Sequence, residues 1–425
     1  MGEHVFTGFG FGPIQGGLFA AEAFKSGNFS RIAVAEIDRR LVEAVKANNG
    51  SYWVNVAGAD GIEPQKIDRV ELLDPNVSQD RRLLAEVLDR STEIVTCLPS
   101  VKFYESGGEN SVASLIAEGL EESEAEGTIV YTAENNNHAA EILDELVGER
   151  IDGPLPARVQ FLNTVIGKMS RVVDDPAEIA QLKLKTIAPG IERAFLVEQF
   201  NRILVGRTWI PDFTPGIGVF IEKDDLLPFE EAKLYGHNAV HSLLGFIGAV
   251  KGCSAITQLK DEPAIMQIAR GAFLGECGPA LIKKYGSLGD ELFTEAGFRD
   301  YADDLLERMT SPYLADTVAR AGRDAVRKLG INDRIFGTMQ LALDNGIEPK
   351  NMAIGAVAGI VVLIKQAEQY DLPADLRFGD WRKLSGVELE AILNWVWRGQ
   401  ACRLMAEIVK CVVTARGALQ KLVGK

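Results

Sequence analysis

One stretch of the chain, 230–241 (EEAKLYGHNAVH), sets a lysine, an asparagine and a histidine at spacings that could serve one reaction. On a regular helix, at roughly 100° per residue, Lys233, His241 and Asn238 fall at about 0°, 80° and 140°, so all three project to one side. A lysine can take the proton from an alcohol when a desolvated or cationic setting lowers its pKa toward neutrality. An amide such as Asn238 can stabilise the developing alkoxide without a charge of its own, and a neutral histidine can orient a neighbouring hydroxyl. The plain alternative is a solvated lysine on a helix face, with the other two bound to local backbone.

A second grouping is cationic. Arg320, Arg323, Arg327 and Lys328 put four cations into nine positions of a chain whose net charge is −15. On one helix Arg323 and Arg327 share a face by i, i+4 spacing, with Arg320 and Lys328 within reach, and such a set can hold a phosphate or carboxylate through charge-assisted bonds. Salt bridges to nearby acidic residues are the competing reading.

The third feature is a glycine loop at 8–17 (GFGFGPIQGG), after a strand-like run and before a helix. Gly10 suits a tight turn, Gly12 allows close backbone approach, and Pro13 fits a first helical turn, where its missing N–H is not needed. With Ile14, Gln15 and Gly16 this loop is expected to face the pyrophosphate of a dinucleotide, although Gln15 stands where a strict GxGxxG has its third glycine. Glu36, at the end of the next strand, is placed to accept from the adenosine ribose and to repel a 2′-phosphate, which favours NAD; Arg39 and Arg40 keep NADP as the lesser alternative. Two further loops after strands, with Leu98 and Pro99 in one and Glu134, Asn135 and Asn136 in the other, are expected to flank the ribose and nicotinamide. A helix cap is an equal reading for the asparagines.

These features need elements to position them. Strand candidates at 4–7, 32–36, 94–97, 128–132 and 159–162 alternate with amphipathic helices at 18–25, 40–46 and 139–146, a pattern that implies a parallel sheet covered by helices. Past about 190 the chain reads as helices at 274–284, 298–309, 314–329, 335–343, 352–367 and 387–421, with one strand at 217–222. The expected architecture is therefore an α/β Rossmann-type dinucleotide-binding domain at 1–193 and a mostly α-helical substrate domain at 194–425. The apolar run at 352–364 is too short to span a bilayer and reads as a buried helix. Sixty acidic against 45 basic residues disfavour nucleic acid and anionic membranes as partners. Five cysteines without a CxxC pair read as free thiols, no HExxH is present, and no metal is expected. The first residues lack the basic and apolar segments of a signal peptide, which points to the cytoplasm.

The spacing of Lys233, Asn238 and His241 resembles the signature of the polyol-specific long-chain dehydrogenases and reductases. The stretches 134–138 (ENNNH), 163–166 (NTVI) and 308–316 (RMTSPYLAD) are similar to further motifs of that family, with Met309 and Ser311 departing from the usual Phe and Asn. The run 320–329 (RAGRDAVRKL), followed by Asp333 and Arg334, is similar to the branch acting on a phosphorylated polyol. The resemblance implies an NAD-dependent, metal-free dehydrogenase interconverting an anionic sugar alcohol, such as mannitol 1-phosphate, and its ketose. It implies Lys233 as acid/base, Asn238 and Asn163 as oxyanion donors, His241 as the substrate-positioning residue and Glu230 as proton relay. Arg320, Arg323 and Lys328 would hold the distal anion. Hexuronate reduction, an uncharged polyol, and a catalytically silent NAD-binding sensor are the alternatives. A monomer or weak homo-oligomer is the family's tendency.

Overall fold

The computed structural model describes residues 4–121 and 123–424; residues 1–3, which carry part of the leader-free reading, lie outside them. The chain divides into two units, Met1–Leu227 and Pro228–Lys425.

Among its described residues the first unit holds twelve strands: β1 (His4–Phe9), β2 (Phe29–Ala35), β3 (Tyr52–Ala57), β4 (Ile62–Ile67), β5 (Val70–Leu73), β6 (Glu93–Thr96), β7 (Thr128–Thr132), β8 (Val159–Ile166), β9 (Ser170–Val173), β10 (Ala194–Glu198), β11 (Ile203–Gly206) and β12 (Phe220–Lys223). Eight form one sheet in the order β12-β11-β8-β7-β6-β1-β2-β5. The run β5-β2-β1-β6-β7-β8 is parallel throughout and has the doubly wound order of a dinucleotide-binding fold, once the β3–β4 hairpin is set aside. Side-chain alternation explains why it is buried on both faces. Phe6 joins Leu18, Val34 and Tyr131 in one apolar cluster, while Val5 and Phe9 join Leu84, Leu115 and Leu143 in the other.

The hairpin and two later strands make a second, four-stranded sheet, β4-β3-β10-β9. This sheet moves the join expected at 193/194. β10 pairs in parallel with β3, and β11 pairs with β8, so the strands after residue 193 complete sheets begun before it. Short strands such as β9 and β11, four residues each, carry too few alternating positions to stand out as period-2 patterns.

The second unit is helical. The buried helix expected at 352–364 is Lys350–Lys365, with every residue from Met352 to Leu363 buried. It packs against Ala239–Lys251, where glycines allow close approach. A Cβ on Gly245 would lie 2.6 Å from the backbone of Ala321, so the helix Val318–Gly322 can seat directly on it. Two expected helices are broken. The 314–329 span becomes Val318–Gly322 and Ala325–Lys328, because Arg323 is extended and Asp324 is left-handed at φ +61°. The 387–421 span becomes Gly386–Val396 and Met405–Val423, with Arg398 and Gly399 both at positive φ between them. Periodicity continues across such interruptions, of two residues in the first case and 397–404 in the second, which is why it does not reveal them. No helix among the described residues is long and apolar enough to cross a membrane.

Candidate functional site

Each unit carries half of the expected chemistry. In the first, strand order reverses between β1 and β6, and the carboxyl ends of these strands open a crevice of about 420 Å³. Gly10, Gly12, Glu36, Leu98 and Pro99 line it, as expected, together with Phe11, Ile37, Asp38, Phe103 and Arg193. Gly10 turns at φ +79°, and a Cβ there would come within 2.9 Å of the Cys97 carbonyl oxygen. A Cβ on Gly12 would meet nothing within 4 Å, so the backbone is open to a ligand at that point. Glu36 is fixed by its own surroundings: it accepts from the Phe11 amide at 2.6 Å and from the Ile37 and Asp38 amides at 2.8 Å. The two arginines that follow are engaged elsewhere, Arg39 with Glu43 at 2.8 Å and Arg40 with the Gly190 carbonyl at 2.8 Å.

Other expected cofactor residues lie behind this surface. Pro13, Ile14, Gln15 and Gly16 do not line the crevice. Gln15 is fully buried, filling the space a Cβ on Gly8 would need, with its Oε1 accepting from the Cys97 thiol at 3.1 Å. Gly16 packs under Phe195. Glu134 is a buried clamp: it accepts from the Leu98 amide (2.8 Å), the Thr96 hydroxyl (2.9 Å) and the Tyr104 hydroxyl (2.5 Å), fixing the loop after β6. Burial pushes its carboxyl pKa up against those bonds. Asn136 accepts from the His138 amide at 2.8 Å, closing a turn ahead of the helix Ala139–Gly148 rather than capping it, and Asn135 too has partners within the structure. Asn163 sits in β8, accepting from the Ala140 amide at 2.9 Å and donating to Glu141 at 2.8 Å.

In the second unit the helix expected through 230–241 is not regular. Residues Ala232–Asn238 form a π-helical turn between Leu227–Glu231 and Ala239–Lys251. Carbonyls along the wider turn are met from outside. Thr338 Oγ1 donates to the Tyr235 carbonyl at 3.1 Å and to that of Arg334 at 2.6 Å, and Tyr301 Oη donates to the Ala232 carbonyl at 3.4 Å. An i→i+5 turn brings Asn238 round toward the side of Lys233, from which a regular helix would set it roughly 140° away. Lys233 is half-buried, and its ammonium is pushed down to about 8 by desolvation and by the charge of Arg334, against the pull of Glu230. Glu230 is itself 9% exposed. Among the described residues the Asn238 carboxamide has no hydrogen-bond partner.

His241 Nε2 donates to Asp316 Oδ2 at 2.7 Å, and Arg320 Nη1 donates to the other carboxylate oxygen at 2.9 Å. Asp316 is 3% exposed; the bonded His241 and the charge of Arg320 hold its carboxyl well below the usual range despite burial. Burial in turn lowers the pKa of His241, against the pull of Asp316, so the ring is neutral and fixed in one orientation. Backbone pairing of 254–256 with 316–318 pins this carboxylate in place, the Ile256 amide reaching the Asp316 carbonyl at 2.9 Å.

Because of the break at Asp324, Arg323 and Arg327 do not share a helix face. Arg323 is exposed, and Arg327 pairs with Asp324 at 2.5 Å. Lys328 is 4% exposed, donating to the Ala321 carbonyl at 2.5 Å. Desolvation and the neighbouring Arg334, Arg327 and Arg323 push its ammonium down to about 7.

Three residues outside the expected set belong to this cluster. Asp316 orients the histidine, and Arg334, bound to Asp333 at 2.8 Å, sets the field at Lys233. His237 is buried beside His241, Arg308, Lys233 and Arg334, and desolvation first and these neighbours second lower its pKa well below the usual imidazole value. Its four-residue spacing from His241 is the signal in the sequence that marks the pair. No metal-binding group of three or more His, Cys, Asp or Glu occurs among the described residues. All five cysteines are free, and only Cys277 is buried.

Comparison with known proteins adds to this geometry. Residues 225–377 match the mannitol dehydrogenase C-terminal domain family. Over 357 residues, 83% of this chain and 84% of the relative, the sequence is 27% identical to mannitol-1-phosphate 5-dehydrogenase of Exiguobacterium sp. strain AT1b. Among solved structures, Pseudomonas fluorescens mannitol 2-dehydrogenase, in ternary complex with NAD and D-mannitol, superposes with a TM-score of 0.70 at 16% identity, covering 99% of this chain and 94% of that one. Substrate-free D-sorbitol dehydrogenase gives 0.73 at 15% identity, with the same coverage. At such identities the two structures bear out the fold, a Rossmann-type unit followed by a helical one.

Proposed function

We propose, from the premise that this chain belongs to the mannitol dehydrogenase family, that it is an NAD-dependent oxidoreductase interconverting an anionic sugar alcohol and its ketose. The observation that carries the reading is the π-turn, which brings Asn238 toward the side of a lysine of lowered pKa inside the domain that matches the family. The relatives are polyol dehydrogenases by name, in accord with the enzyme class expected from sequence.

The crevice of the first unit fits a dinucleotide. The open backbone at Gly12, the left-handed turn at Gly10 and the carboxylate of Glu36 are what a pyrophosphate and a ribose diol require. When bound, NAD supplies the hydride acceptor. Lys233, as the neutral amine, takes the hydroxyl proton of the alcohol, and Glu230 is the group to which that proton passes. Asn238 donates to the oxygen as it gains charge, and the carboxamide of Asn163 is assigned the same role. His241, held by Asp316, positions the substrate. Arg320, Arg323 and Lys328 are assigned to the distal anion. The full-length relative named for a phosphorylated polyol favours phosphate over carboxylate there.

Initial rates of NADH oxidation with fructose 6-phosphate, fructuronate, tagaturonate and fructose at equal concentration test this reading. A dominant rate with fructose 6-phosphate, lost in Arg323→Ala, supports it. Preference for a uronate reassigns the cations to a carboxylate, and tight NADH binding with no turnover of any of the four favours the sensor.

A further inference from the structure

The crevice at the β1/β6 switch point is anionic on its own account. Glu36 and Asp38 both line it, while among its lining residues Arg193 is the sole arginine or lysine. That cation comes from the second sheet, on the residue before β10. Two residues on, Phe195 packs its ring 5.5 Å from that of Phe11 in the glycine loop, and strand alternation puts Arg193 on the same side. The Arg193 carbonyl accepts from the Ile187 amide at 2.9 Å, which fixes the turn. Its Nη2 donates to Asp38 Oδ2 at 2.5 Å, while Asp38 Oδ1 accepts from the Leu41 amide at 3.2 Å and caps the helix Arg39–Ala47. The Arg193 side chain remains 40% exposed.

We propose that Arg193 is a cofactor-phosphate ligand, held at the crevice by Asp38, so that the second sheet supplies the cation which the glycine-loop half of the site lacks. The inference rests on the dinucleotide reading above. A pyrophosphate brought beside Glu36 and Asp38 with backbone amides alone would meet net negative charge; a guanidinium bonded to Asp38 at the same crevice offsets it. One of its five N–H donors is used by Asp38, and the fork geometry suits a phosphate oxygen pair.

The test is displacement of NADH fluorescence from the full-length protein by adenosine and by ADP. Arg193→Gln should weaken NADH and ADP roughly tenfold or more, the worth of a charge-assisted bond, and leave adenosine within about twofold. Arg193→Lys should recover part of the loss. Asp38→Asn keeps a capping side chain and an acceptor oxygen to hold the guanidinium while removing one negative charge from the crevice, and ADP should bind it as well as wild type or better. If Arg193→Gln and Asp38→Asn both weaken adenosine and ADP alike, the pair is a structural latch and the proposal falls. It falls equally if Arg193→Gln changes neither ligand. Wild-type protein that binds neither NADH nor ADP overturns the dinucleotide reading itself, an outcome distinct from these.

Discussion

The two halves of the candidate chemistry solve opposite electrostatic problems. In the first unit, the crevice is built from backbone turns and from carboxylates whose oxygens are already bonded: Glu36 by three amides, Asp38 by Leu41 and Arg193. In the second, Lys233, Lys328, Arg334, His237 and His241 lie close enough to raise the cost of one another's charges. Satisfied polar groups make a surface set to receive a ligand, whereas desolvation first and neighbouring like charges second lower the lysine pKa values toward neutrality, where they can exchange protons. The proposed function assigns binding to the first arrangement and acid/base chemistry to the second.

The largest expected effect tests the second half of that contrast. Lys233→Met should lower kcat by about 10² to 10⁴ with NADH affinity unchanged. In the proposed mechanism the neutral amine is the base, so wild-type alcohol oxidation should rise with pH and level off above about 8, while ketone reduction, which needs the ammonium, should fall through the same range. Arg334→Gln removes a like charge and should move both limbs upward; a profile unmoved by that change would break the electrostatic reading.

Next in size is Asp316→Asn. The carboxamide offers His241 one acceptor oxygen rather than two and loses the pair with Arg320, so kcat should drop roughly 10- to 100-fold through misplacement of the ring. Activity within twofold of wild type would mean that His241 is oriented by something else.

How far these halves are legible in sequence differs for the same physical reason. A glycine at φ +79°, a carboxylate closing the second strand and a β-α alternation are local, and each leaves a local mark. Lys233, Asn238 and His241 also stand out by spacing. What seats them does not. The π-turn depends on Thr338, about a hundred residues away in sequence, bonding the Tyr235 carbonyl; the cation cluster depends on a left-handed Asp324 that breaks an otherwise periodic run. The second sheet, source of Arg193, is assembled from a hairpin and strands far apart in the chain. Long-range partners of this kind override the periodicity that a single sequence displays.

Lys328→Met is expected to separate stability from function. The ammonium is buried and its pKa depressed to about 7, below the unfolded value of 10.5, so the unfolded chain binds more protons between those limits and wild-type stability should increase with pH across them. The methionine variant, relieved of that buried charge, should show a higher Tm at pH 6 by an amount that shrinks toward pH 9, and a higher KM for the anionic substrate. A lower Tm at pH 6 would show that the bond to the Ala321 carbonyl outweighs the desolvation.

The smallest effect asks whether the first unit is as free of unresolved charge as its crevice. At the far end of β6 from the crevice, Glu93 is fully buried. One oxygen accepts from the Gly216 amide at 2.6 Å and lies 3.6 Å from His4 Nδ1, and the other has no partner; burial pushes the carboxyl up to about 8. Its folded pKa is thus raised, so the stability this group confers is fully present below 4.5, the unfolded value, and is lost progressively as pH climbs from there to about 8. Glu93→Gln keeps the shape and an acceptor for Gly216 but cannot ionise. Its Tm should match wild type near pH 4, exceed it by a margin that grows as pH rises toward about 8, and level off above that, the final gap corresponding to roughly 1–3 kcal/mol, the cost of an unsatisfied buried group. A gap that stays constant with pH would mean that His4 or the surrounding backbone already stabilises the anion, and the contrast between the two units would then extend to the whole of the first.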